Sequence, residues 1–208
     1  MPQLPAVPNL QYLGVQEYLL TWSAMQQFTR TRTAQTRDEI WLVEHPAVYT
    51  LGQASKIEHL RAPGTIPVIP TDRGGQVTYH APGQAILYTL FDIKRYGWGV
   101  RQFVNILEQA VINSLQNYGI VGEIRPHAPG VYVNGQKIAF LGLRIRHGRV
   151  YHGLAFNVAL DLAPFSRINP CGFPGLAITQ LADLGGPDNS AQVAEQLARN
   201  LIQVITAS

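Results

Sequence analysis

At 208 residues, with 46% hydrophobic and 14% charged side chains, the chain has material for one well-buried core, and its composition excludes a disordered polar polymer. A net charge of +3 is too small to argue for a nucleic-acid partner, and no apolar run approaches the roughly 18 residues of a membrane span. A single cysteine excludes an internal disulfide framework and a multi-cysteine metal site. The opening Met1-Pro2-Gln3-Leu4-Pro5 has neither a basic start nor an apolar stretch. It reads as lacking a secretory signal, and a cytoplasmic location is expected.

In chain order, apolar residues from Gly14 to about Thr33 (Val15, Tyr18, Leu19, Trp22, Met25, Phe28) recur every three or four positions and predict an amphipathic helix. Ile40–Glu44 and Ala85–Phe91 are short, β-branched and aromatic, as strands are. Between them, Arg73-Gly74-Gly75-Gln76-Val77-Thr78-Tyr79-His80-Ala81-Pro82-Gly83-Gln84 interleaves glycines with donors and acceptors. It reads as a polar loop whose backbone lies close to a ligand. A second helix is predicted from about Val100 to Tyr118, with Phe103, Val104, Leu107, Val111 and Leu115 on one face and Gly119 as its terminal glycine.

Val131–Val133, the turn pair Asn134-Gly135 and the run from Lys137 to Arg146 form a hairpin signal; His147-Gly148 then turns the chain into Val150–Val158. The last helix runs from about Ser190 to Ile205, with Asp188 or Ser190 as candidate N-cap. Helices and strands mix without a regular βαβ alternation. The expectation is one α+β domain, 1–208, around a largely antiparallel or mixed sheet flanked by helices.

Two residues carry the strongest chemical signal. Cys171 lies between Pro170 and Gly172, which places the thiol on a turn. It is either a small buried hydrophobe or a nucleophile that needs a cation or base beside it. Lys137 opens a strand whose apolar partners are Ala139, Leu141, Leu143 and Ile145. It either snorkels to water or is partly desolvated and able to exchange protons. Six histidines show no HExxH or HxxxH spacing, so no catalytic metal is expected. The clusters Arg30/Arg32/Arg37 and Arg144/Arg146/Arg149 are solvated faces or docking surfaces for an acidic partner.

Four blocks in order resemble the octanoyltransferases of lipoate biosynthesis: Arg73 to Tyr88; Gly135-Gln136-Lys137-Ile138-Ala139-Phe140-Leu141-Gly142; Tyr151-His152-Gly153-Leu154-Ala155-Phe156-Asn157-Val158; and Arg167-Ile168-Asn169-Pro170-Cys171-Gly172. The resemblance implies a fold similar to the catalytic domains of lipoate and biotin protein ligases. It also implies transfer of an octanoyl group from octanoyl-acyl carrier protein to a lysine of lipoyl domains, those of 2-oxoacid dehydrogenase complexes and of the glycine cleavage H protein. Cys171 would carry the thioester, and Lys137 would lower its pKa and move the proton. Arg73, Gly74, Gly75, Gln76, Val77, Thr78, Tyr79, His80, Phe140, Leu141, Gly142, Gly153, Leu154 and Ala155 would bind substrate.

Neither ATP nor a metal would be needed, and neither nucleic acid nor membrane is an expected partner. Backbone N–H groups of the glycine-rich segments are candidates to hold the oxyanion. The family usually has a small residue where Phe140 stands; strand alternation turns Phe140 away from the face of Lys137 and makes the change silent. The alternatives are an ATP-dependent lipoate ligase, an amidotransferase between protein lysines, and a non-catalytic acyl-carrier-binding module.

Overall fold

The hairpin signals from Val131 onward build the centre of the molecule, whose computed structural model describes residues 6–207. Strands β8 (Ala128–Val133), β9 (Gln136–Arg146) and β10 (Arg149–Asn157) form the expected antiparallel meander. It continues a sheet of seven strands in the order β1-β2-β6-β10-β9-β8-β7, with β1 at Asn9–Val15, β2 at Glu39–Glu44, β6 at Gln84–Asp92 and β7 at Glu123–Arg125. Only the β1–β2 pair is parallel, so the sheet is mixed and largely antiparallel.

Alternation along the strands separates two apolar faces. Ile40, Leu42, Leu87, Phe91, Leu154 and Phe156 meet helices α2 (Val100–Gln116) and α3 (Ser190–Ala207). Trp41, Val43, Ile86, Tyr88 and Tyr151 meet helix α1 (Tyr18–Thr31), whose Met25 is fully buried. A second sheet, β4-β3-β5 (β3 Val48–Leu51, β4 Val68–Pro70, β5 Val77–His80), closes a third apolar cluster with Phe140, Phe165 and Ile168.

Several elements differ from the expectation. The first helix begins at Tyr18, because Asn9–Val15 pairs with β2; Leu19 and Leu20 are exposed. The polar segment is a loop at 73–76 and a turn at 81–83. Val77–His80 is strand β5, paired antiparallel with β3 and buried throughout, so its alternation supplies both a cavity wall and a core. Helix α3 is capped by neither candidate: Asn189 Oδ1 accepts from the Gln192 N–H at 3.0 Å, while Ser190 Oγ bonds Glu44 at 2.8 Å. Gly119 does follow α2 with φ 71°, and the Ile120 N–H reaches back to the Leu115 carbonyl at 3.0 Å.

Candidate active site

The turn that carries Cys171 is tied down before the thiol. The Asn169 N–H bonds the His59 carbonyl at 2.8 Å, the Asn169 amide faces His59 Nδ1 at 3.3 Å, and the N–H groups of Arg61 and Ala62 both bond the Arg167 carbonyl at 3.0 Å. Pro170 opens a single 3-10 turn, and Cys171 sits within it in the left-handed region, φ 57°, ψ 13°. A non-glycine residue there costs about 1–2 kcal/mol, which the surrounding bonds must impose.

Beyond the thiol, the chain returns to β9. The Lys137 N–H bonds the Ala177 carbonyl at 2.8 Å, and the Thr179 N–H bonds the Lys137 carbonyl at 3.0 Å. This two-bond bridge brings the turn against the lysine. Lys137 Nζ donates to Cys171 Sγ at 3.2 Å and to the Pro129 carbonyl at 2.7 Å. The lysine is 2% exposed, so its ammonium does not snorkel; it stands over the rings of Tyr132 and Phe140 at 5.3 and 5.1 Å.

Cys171 and Lys137 open into a cavity of about 470 Å³, within the usual range for small-molecule sites. Its walls include segments 73–78, 140–142 and 153–155, with His80, Tyr18 and Tyr88. Gly142 permits the close packing: a Cβ there would lie 3.0 Å from Arg73 Cδ. Gly153 faces the Leu87 carbonyl, 2.0 Å from where a Cβ would stand.

Two sequence expectations change. Tyr79 points out of the cavity, into the cluster with Tyr49 and Phe165 at ring distances of 5.4 Å. Phe140 lines the cavity on the side of Lys137, not away from it. A bulge in the β8–β9 pairing, where Val131 faces Ala139 but Tyr132 faces Lys137, breaks the alternation and puts Lys137 on the side of Tyr132 and Phe140.

Arg73 is buried, with no carboxylate partner among the described residues. Its guanidinium bonds Thr50 Oγ1 at 2.8 and 3.1 Å, the Thr50 carbonyl at 2.6 Å and the Gly74 carbonyl at 3.0 Å, and burial lowers its pKa. His80 is pushed down to about 3, by burial first and then by the neighbouring His45, and His45 is pushed down to about 4 by burial. Both imidazoles are therefore neutral hydrogen-bonding groups near neutral pH. His80 Nδ1 meets Gln84 Oε1 at 2.8 Å, Gln84 Nε2 donates to Asn157 Oδ1 at 2.9 Å, and Asn157 Nδ2 donates to the Thr179 carbonyl at 3.0 Å.

Sequence reasoning missed Asp72. Its carboxylate accepts from Trp22 Nε1 at 2.8 Å, Gln26 Nε2 at 3.2 Å, His152 Nε2 at 2.9 Å and the Tyr151 hydroxyl. Burial opposes its charge, but the bonds from His152 and Tyr151 outweigh burial and hold the carboxyl well below its ordinary range. Consecutive strand residues normally face opposite ways. Here His152 has φ 62°, which swings its ring beside Tyr151 (centroids 5.1 Å apart) so that both reach Asp72. The available signal was position: Asp72 immediately precedes Arg73, and Tyr151-His152 opens the third block. Among the described residues, no group of three or more His, Cys, Asp or Glu side chains converges as metal ligands. No helix among them is long and apolar enough to cross a membrane.

The family model of the lipoyl protein ligase A/B catalytic domain matches residues 13–202. An octanoyltransferase of Xylella fastidiosa is 57% identical over 92% of this chain and 84% of its own length. One from Alkalilimnicola ehrlichii is 53% identical over 99% and 96%. Among solved structures, lipoate-protein ligase A with bound ATP superposes with a TM-score of 0.80 at 15% identity, covering 97% of this chain and 86% of its own. Biotin protein ligase of Aquifex aeolicus gives 0.62 at 13%, covering 95% and 70%. At such identities the structures attest the fold alone. The close sequence relatives go further, and the chain belongs to the octanoyltransferases, acyltransferases built on the lipoyl protein ligase A/B catalytic domain.

Proposed function

We propose that the whole chain, 1–208, is one catalytic unit that moves an octanoyl group from an acyl-carrier-protein thioester to a lysine of a lipoyl domain, through a thioester on Cys171. The observation that carries this reading is the 3.2 Å contact between Lys137 Nζ and Cys171 Sγ at the mouth of a mainly apolar cavity. An ammonium at that distance stabilises a thiolate, the form in which cysteine attacks.

The atoms balance over two steps. Cys171 sulfur attacks the donor carbonyl; the new C–S bond replaces the old one, and the departing carrier thiolate takes a proton from the Lys137 ammonium. The acceptor amine then attacks the acyl-enzyme, its C–N bond forms as the Cys171 C–S bond breaks, and its surplus proton returns to Lys137. Exchange between thioesters is close to isoenergetic and amide formation from a thioester is downhill, so neither ATP nor a metal is required. A bipartite lipoate protein ligase of related fold from Thermoplasma acidophilum belongs to a lipoylation system with its E2 lipoyl domain, which supports a lipoyl domain as acceptor.

Intact-protein mass spectrometry after mixing with octanoyl-acyl carrier protein, without ATP, tests the reading. One octanoyl mass should appear on the wild type, vanish in Cys171→Ser and be discharged by a lipoyl domain. An enzyme that takes no octanoyl group but joins free lipoate to the domain with ATP would be a ligase. One that accepts octanoyl only from an octanoylated protein lysine would be an amidotransferase.

A further inference from the structure

Behind Lys137, on the side away from the thiol, stands Glu108 of α2, a buried carboxylate on a helix face otherwise apolar or small. Its Oε1 accepts from the Gly130 N–H at 2.8 Å. That N–H belongs to the Pro129–Gly130 peptide, the same peptide whose carbonyl accepts from Lys137 Nζ at 2.7 Å. A single amide plane therefore joins carboxylate to ammonium, and the line runs Glu108, peptide 129–130, Lys137 Nζ, Cys171 Sγ.

The packing along this line leaves no slack. Gly130 has φ 126°, and a Cβ on it would stand 2.6 Å from Lys137 Cε and 2.4 Å from the Ala139 carbonyl, so only glycine lets the peptide press against the lysine stem. Among the described residues no carboxylate makes an ion pair with Lys137. Glu108 is thus the acidic side chain that reaches it, one peptide away. Burial raises the Glu108 carboxyl above its ordinary range, opposed by the Gly130 bond and the Lys137 charge.

We propose that Glu108 is a positioning residue for the reaction, acting through the Pro129–Gly130 peptide to aim Lys137 at Cys171 and to favour the ammonium–thiolate pair over the neutral pair. A peptide polarised at its N–H by a carboxylate presents a more negative carbonyl to the lysine. A carboxylate held on that peptide favours a cation at its carbonyl, and so the charged pair over the neutral one. The inference rests on the Cys171 thioester reading.

The test compares wild type, Glu108→Gln, Lys137→Met and the double variant, with octanoyl-pantetheine as donor and iodoacetamide as an independent probe of the thiol. Because Cys171 is the only cysteine, ultraviolet thiolate absorbance reports it alone. In Glu108→Gln, the amide can still accept from Gly130. This variant should acylate and alkylate about tenfold more slowly, with reduced thiolate absorbance and an unchanged KM for the donor. In the Lys137→Met background the same change should add nothing. A Glu108→Gln protein that reacts at the wild-type rate, or one equally slowed without Lys137, overturns the proposal. Should Glu108→Gln not fold, Glu108→Asp, which withdraws the oxygen from Gly130, must show the same slowing. If the wild type takes no octanoyl group, the thioester reading fails, while alkylation of the four proteins still decides the Glu108–Lys137 coupling.

Discussion

Lys137 combines near-complete burial with a hydrogen bond to the Cys171 sulfur, and strand periodicity does not foretell that combination. Replacing it with methionine keeps most of the stem volume and removes the proton. Lys137→Met should cut acyl-enzyme formation on the order of a hundredfold or more, measured as adduct appearance at saturating donor. A loss below threefold would leave Lys137 a packing residue. Phe140 makes a second prediction at this scale. Its ring stacks on Phe165 (centroids 5.3 Å apart, planes 7° apart) and stands under the Lys137 ammonium. Phe140→Ala should cost about 3 kcal/mol of stability and shift donor preference toward chains longer than octanoyl. Competition between octanoyl and dodecanoyl thioesters checks this; an unchanged ratio would confine Phe140 to packing.

The elements were legible wherever one periodicity ran unbroken. Helices α2 and α3 and the meander β8–β10 follow directly from apolar spacing and the Asn134-Gly135 turn. Short strands were not legible: β3, β4, β5 and β7 span 4, 3, 4 and 3 residues, too few for a pattern, and are defined by the partners they pair with. At the site, the glycine-rich loop and the cysteine turn announce themselves by composition. Asp72 and Glu108 do not, because a lone acidic residue acquires meaning only from what the fold brings against it. The role of Gly153 is likewise a property of strand pairing. A methyl group there would drive β10 away from the Leu87 carbonyl on β6, in the middle of the sheet. Gly153→Ala should lower stability by about 1–3 kcal/mol, seen as a reduced urea midpoint. An unchanged midpoint would mean that the pair relaxes freely.

Across the whole molecule, buried neutral histidines set the acid limit. His45 and His80, at about 4 and about 3, are harder to protonate folded than unfolded, where the value is near 6.5. Above that pH neither state binds the proton and neither histidine affects stability. As pH falls from about 6.5 the unfolded chain binds more protons, so stability falls until the folded values are reached. Each histidine contributes a slope of at most about 1.4 kcal/mol per pH unit. The melting temperature should be level near pH 7–8 and drop steeply between 6.5 and 4; a level profile down to 4.5 would mean these rings are protonated in the fold. The same molecule-wide view applies to the thiol. Cys171 is the one cysteine in 208 residues and is only partly covered. Oxidised to a sulfenic acid, it has no second thiol in its own chain with which to form a disulfide, the usual brake on further oxidation. Under the proposed thioester chemistry, recovery from peroxide would depend on small thiols supplied from outside, and activity would read out the surrounding thiol pool.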